Sequence, residues 1–83
     1  MTSLMYPIST EKALNMIDRN NTISYVVDFR SNKVQIKKEF EQTFGVKVKS
    51  INTEMTMNNT KRAYIRLKPE FKASDVARKL KLV

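Results

Sequence analysis

The amino-acid sequence predicts an α+β fold, a split βαβ or ferredoxin-like sheet with helices packed on it. Three observations lead there. Apolar residues recur with helical period in three segments and with alternating period in three others, in the order α-β-α-β-β-α. One helical segment separates the first two strands, so they run parallel through a right-handed crossover, whereas a tight turn makes the third antiparallel to the second. Inserting the third strand between the other two makes every neighbouring pair antiparallel. The N-terminal segment is a candidate fourth strand. At 83 residues the chain is expected to form one domain, residues 1–83, with no repeat, linker or low-complexity tract.

Each element has its own local signal. Ser9-Thr10 starts the first helix, and Glu11 falls in its first turn, where the macrodipole favours a carboxylate. Ala13, Leu14 and Ile17 share one face. Gly45 is the single glycine, so turns that need positive φ fall to asparagine. Asn20-Asn21 therefore ends the helix, and Asn58-Asn59 fits a two-residue type I′ hairpin turn. Thr22–Phe29 alternates, with Ile23, Tyr25, Val27 and Phe29 on one side and Asp28 on the polar side, the pattern of a half-buried strand.

Ser31 or Asn32 caps the second helix. Ile36, Phe40 and Phe44 recur there at i, i+4 and i+8, and Gly45 sits where a left-handed residue ends a helix. The next strand begins at Val46. Its apolar parity switches from Val46 and Val48 to Ile51, Met55 and Met57, a slip that a bulge near Ser50 explains. The last strand, Lys61–Lys68, turns Ala63, Ile65 and Leu67 inward and Arg62, Tyr64, Arg66 and Lys68 outward, and Pro69 ends it. Ser74 caps a short terminal helix whose apolar face is Val76, Ala77 and Leu80.

Composition limits the chemistry. The chain has no cysteine and no histidine, so disulfides, zinc fingers, thiol nucleophiles and imidazole bases are excluded. Glu39 and Glu41 stand two apart on a helix and face different ways, so they read as surface charges balancing nearby lysines. No Gly-rich phosphate loop and no dense acidic cluster exists. The expectation is a non-enzymatic protein with no cofactor and no metal. The N-terminus lacks a signal-peptide pattern, and no apolar run approaches the roughly 20 residues of a membrane span. A soluble intracellular protein with no membrane insertion is expected.

Charge then points to a partner. Sixteen Lys+Arg against eight Asp+Glu give +8. Residues 1–32 hold three bases and three acids, so residues 33–83, with thirteen bases and five acids, carry the whole excess. Such a balance favours a polyanion, with nucleic acid first. Lys33 and Lys37 share a helix face beside the apolar stripe, and Lys38 points away from it. Lys61 and Arg62 follow the hairpin turn, and Arg66 and Lys68 continue the outward face beyond Tyr64. The segment Lys61–Leu67 echoes the third-strand signature of an RNA-recognition motif only faintly, since one aromatic stands where several are needed. Phosphate and shape readout of folded RNA fits better than single-strand stacking. A basic module that meets an acidic protein partner is the alternative.

Several segments resemble the universal large-subunit ribosomal protein L-twenty-three family. They are Tyr6-Pro7-Ile8-Ser9-Thr10-Glu11-Lys12-Ala13, Asn32-Lys33 with Ile36-Lys37, Phe44-Gly45-Val46-Lys47-Val48, Ile51-Asn52-Thr53 and Lys61-Arg62-Ala63-Tyr64-Ile65-Arg66-Leu67. The resemblance implies a structural protein of the large subunit in the cytoplasm. It implies contact with the third domain of large-subunit ribosomal RNA at the rim of the polypeptide exit tunnel, beside ribosomal protein L-twenty-nine. It also implies a docking platform for nascent-chain factors. The short Thr56–Thr60 connection resembles the archaeal form, which lacks a tunnel extension and makes the signal recognition particle the expected visitor. On this reading Lys12, Asn32, Lys33, Lys37, Asn52, Thr53, Lys61, Arg62 and Arg66 contact RNA. Pro7, Ile8 and Glu11 form the factor-docking surface.

Overall fold

The computed structural model describes residues 4–8, 10–56 and 60–80. They form β1 (Leu4–Pro7), α1 (Glu11–Asn20), β2 (Thr22–Val27), α2 (Lys33–Phe44), β3 (Val48–Met55), β4 (Lys61–Leu67) and α3 (Ala73–Lys79). The expected insertion is present. β4 pairs antiparallel with β2 on one side and with β3 on the other, and the N-terminal segment supplies the fourth strand on the far edge of β2.

The core lies between the sheet and its helices. Ile36 and Phe40 of α2 and Val76 and Ala77 of α3 pack with Ile23, Val27, Ala63, Ile65 and Leu67 of the sheet. The Tyr25 ring meets Phe40 edge-on at 6.4 Å, and burial pushes its phenol above the ordinary pKa. Of the two N-cap candidates for α2, Asn32 takes the position, and Gly45 ends the helix as expected. Asn32 Oδ1 accepts from Gln35 N at 2.9 Å, Gln35 Oε1 accepts from Asn32 N at 3.1 Å, and Gly45 closes the helix at φ 66°.

Four expectations need correction. β2 is buried along its whole length rather than on one face. β1 pairs only with Tyr25–Val27, and α1 lies against β2, with Met16 Sδ 4.0 Å from the Ser24 hydroxyl. On the other side the long side chains of Arg62, Tyr64 and Arg66 stand next to Val26, Ser24 and Thr22. Phe29 and Asp28 lie past the strand in a turn. Phe29 is 54% exposed under the Arg30 guanidinium. The Asp28 carboxylate accepts the Arg30 N–H at 2.9 Å, a bond that holds its pKa below the usual range.

The second correction concerns β3. It starts at Val48 rather than Val46, and the register shift lies between Val48 and Ser50, where Lys49 is the extra residue. The bulge lets Val48 and Ile51 both face the core, as the parity slip requires. Met55, expected inward, is 55% exposed at the last position of the strand, opposite Lys61. Third, β4 stops at Leu67 instead of Lys68. Ser9, Met57 and the Asn58-Asn59 turn lie outside the described residues.

The fourth correction is the start of α3. Ser74 does not cap it. Lys72 occupies the cap position without a side-chain bond, and Ala73 N instead donates to Asn21 Oδ1 at 2.6 Å. Asn21 sits at φ 51°, ψ 41°, the left-handed conformation that ends α1. Its Nδ2 donates to Phe71 O at 2.8 Å and to Leu67 O at 3.3 Å, and its own carbonyl accepts from Leu67 N. One residue thus ends one helix with its backbone, and with its side chain caps another and anchors the end of β4.

Asn21→Gly keeps the positive φ and removes the side-chain bonds, at an expected cost of roughly 1–3 kcal/mol. Asn21→Ala adds left-handed strain of about 1–2 kcal/mol. Urea unfolding of both variants checks the order. An alanine variant as stable as the glycine variant contradicts the conformational part.

Candidate nucleic-acid interface

Strand alternation sorts the basic residues. On β4, Ala63, Ile65 and Leu67 point to the helices, so Arg62, Tyr64 and Arg66 share the opposite face. β3 adds to that face in register: Glu54 lies opposite Arg62, Asn52 opposite Tyr64 and Ser50 opposite Arg66. Arg62, Arg66 and Asn52 are exposed. Lys12, fifty positions before Arg62 in the sequence, comes to the same place, because it lines a small cleft between α1 and the sheet with Arg62, Tyr64 and Glu54.

Tyr64 is half-buried in the middle of this surface. Its hydroxyl donates to Glu54 Oε1 at 2.8 Å across the strands. Burial first, and the Glu54 hydrogen bond second, raise its pKa, and Arg62, through hydrogen bonding and then its charge, opposes them. The geometry shows this ring held in a cross-strand contact rather than free for stacking. Glu54 places one negative charge in an otherwise basic face.

A second group lies on the helix side. Asn32, Lys33 and Lys37 are exposed at the start of α2. Lys61 shares the parity of Ala63, so it points away from Arg62 despite following the same turn. Its ammonium donates to the Ser31 carbonyl at 2.6 Å. Thr53 lies opposite Ala63 and is half-buried, on the other face from Asn52. The nine residues expected to touch RNA therefore divide, with Lys12, Asn52, Arg62 and Arg66 by the open face and Asn32, Lys33, Lys37, Thr53 and Lys61 behind it.

A sequence-family model described as Ribosomal protein L23 matches residues 2–77, a span that takes in all four strands and two complete helices. The chain belongs to the ribosomal protein L23 family. Membership makes it a large-subunit ribosomal protein, structural rather than enzymatic, with ribosomal RNA and ribosomal proteins as partners.

In this L23 family chain the residues expected to dock factors lie near the start of α1. Pro7 and Ile8 are half-buried, with Ile8 N bonded to Ser24 O at 3.0 Å, and Glu11 is exposed in the first turn. Glu39 and Glu41 have a role that the sequence reading missed. Glu39 Oε2 accepts from Leu4 N at 3.3 Å and Glu41 Oε2 from Val48 N at 2.8 Å, so each carboxylate holds the first residue of a strand. The local sequence marks Asn21 only as a helix stop. Its cap on α3 spans 52 positions, and no local pattern signals a bond of that length.

Glu54→Gln removes the negative charge beside the Tyr64 phenol and is expected to lower its pKa toward the ordinary tyrosine value while burial keeps it above. A ring-carbon NMR titration reads this directly. An unchanged Tyr64 titration contradicts the hydrogen bond in solution.

Proposed function

We propose that this chain binds the third domain of large-subunit ribosomal RNA at the rim of the polypeptide exit tunnel. The observation that carries the RNA reading is the pair Arg62 and Arg66, four positions apart on one face of a central strand, with Tyr64 between them and Asn52 opposite Tyr64. Guanidinium groups on a rigid strand meet backbone phosphates from fixed positions, and Asn52 offers a hydrogen bond to phosphate or sugar oxygens. Lys12 extends this surface. Asn32, Lys33 and Lys37 at the start of α2 form a second contact.

The neutral N-terminal part serves a different partner. Pro7, Ile8 and Glu11 present the docking surface for the signal recognition particle and other nascent-chain factors, next to ribosomal protein L-twenty-nine. The charge division supports this separation, since residues 1–32 offer RNA no net attraction. The short connection after β3 supports an archaeal-type form, with Thr56 N bonded to Thr60 O at 2.8 Å across it. The setting is the cytoplasmic ribosome.

Binding of the domain to a ribosomal RNA fragment containing the third domain is expected to weaken steeply with salt. Arg62→Ala with Arg66→Ala shallows the log–log slope by about 1.4–1.8, the counterions that two phosphates release. A flat salt response, or a slope unchanged by the double variant, refutes the open-face contact. Glu11→Lys on intact ribosomes is expected to weaken signal recognition particle docking while the protein stays bound, because a rim charge mainly sets on-rate. Docking at the wild-type level removes Glu11 from that surface.

A further inference from the structure

We propose that Lys61 is a positioning residue for RNA binding: it fixes the start of α2, and so aims Lys33 and Lys37, without touching RNA itself. The inference rests on the reading of that helix start as an RNA contact.

Lys61 follows the hairpin beside Arg62, and position alone makes the two look like a pair. The strand separates them. Lys61 has the inward parity of Ala63, Ile65 and Leu67, is half-buried, and has Val27 and Met55 as its register neighbours. Its stem therefore lies along apolar surface, and its ammonium ends on the Ser31 carbonyl at 2.6 Å, a contact between residues 30 positions apart. Ser31 is itself buried, and its N–H donates to Asp28 O at 3.0 Å, so the last residue of the turn before α2 is held by both its N–H and its C=O.

The next residue is Asn32, which closes the capping box with Gln35, and Lys33 is the first residue of the helix. A continuous run of bonds leads from β4 through Ser31 to the turn that carries the lysines. The helix start needs such support. It has no acid in its first turn, and Lys33 lies at the end where the macrodipole disfavours a cation. An RNA phosphate relieves that repulsion on binding; before binding, the tie from Lys61 holds the turn in place.

The test is a double-mutant cycle on ribosomal RNA-fragment affinity. Lys61→Met keeps the stem and removes the ammonium. It is expected to weaken binding roughly threefold to tenfold in the wild-type background and to have little effect once Lys33→Ala and Lys37→Ala are present. Its salt slope stays at the wild-type value, because no phosphate contact is lost. Lys61→Arg, which keeps a cationic donor, restores most of the affinity.

A slope lower by about 0.7–0.9 marks Lys61 as a phosphate contact and overturns the proposal. Equal losses in both backgrounds, or no loss in either, overturn it too. Amide exchange in the free domain gives a readout independent of RNA. Exchange at Gln35 rises in Lys61→Met and not in Arg62→Ala, and an unchanged rate refutes the tie. A wild-type domain that binds no ribosomal RNA fragment refutes the RNA reading itself, and the exchange result still decides whether Lys61 holds the turn.

Discussion

A single left-handed asparagine joins the elements on which the fold depends. Asn21 ends α1 with its backbone, accepts the first free N–H of α3 with its side chain, and bonds the segment that leaves β4. Glycine supplies the positive φ of such a junction at no steric cost, but it brings no side chain. Asparagine tolerates the conformation and carries both a donor and an acceptor. The chain uses its one glycine for the end of α2, where nothing lies within 4 Å of the position a Cβ would take and no side-chain bond is needed.

With the junction fixed, β4 divides the molecule. It is a central strand, so its two faces meet different surroundings along its whole length. Ala63, Ile65 and Leu67 are fully buried against the helices, and the residues between them have nowhere to go but the opposite face. The alternation that builds the core is thus the same alternation that aligns Arg62 and Arg66. It also explains why two basic residues adjacent in sequence, Lys61 and Arg62, work apart. One braces the turn before α2, and the other faces the open surface of the sheet.

Much of this was legible in the sequence. The alternation of β4 gave both of its faces correctly, and the parity slip in β3 located the bulge to within one residue, because burial of Val48 and Ile51 on the same side leaves no other solution. The α2 ends were largely readable, since Asn32, one of two candidates with Ser31, and Gly45 act within one turn of where they stand; the return bond from Gln35 appears only in the structure. What escaped notice acts over distance. Ser74 looked like a cap because local chemistry suits it, yet Asn21 reaches the helix end first from across the fold. Phe29 looked like core by parity, but β1 and β4 pair with β2 only through Val27, so Phe29 lies past the last paired position and stays exposed under Arg30. The candidate RNA residues were named as one set from charge and from the family resemblance, and only the register shows that they occupy two surfaces.

The central claim is that ribosomal RNA meets the open face of β3 and β4, with Lys12 beside it, together with the start of α2, and leaves the docking residues Pro7 and Glu11 free. Chemical-shift mapping of the isotope-labelled domain, titrated with a fragment containing the third domain of large-subunit ribosomal RNA, tests it directly. The account predicts shifts concentrated at Lys12, Asn52, Arg62, Tyr64 and Arg66 and at residues 32–37, with Pro7 and Glu11 unmoved. Shifts gathered around Glu11, with Arg62 and Arg66 silent, would contradict it.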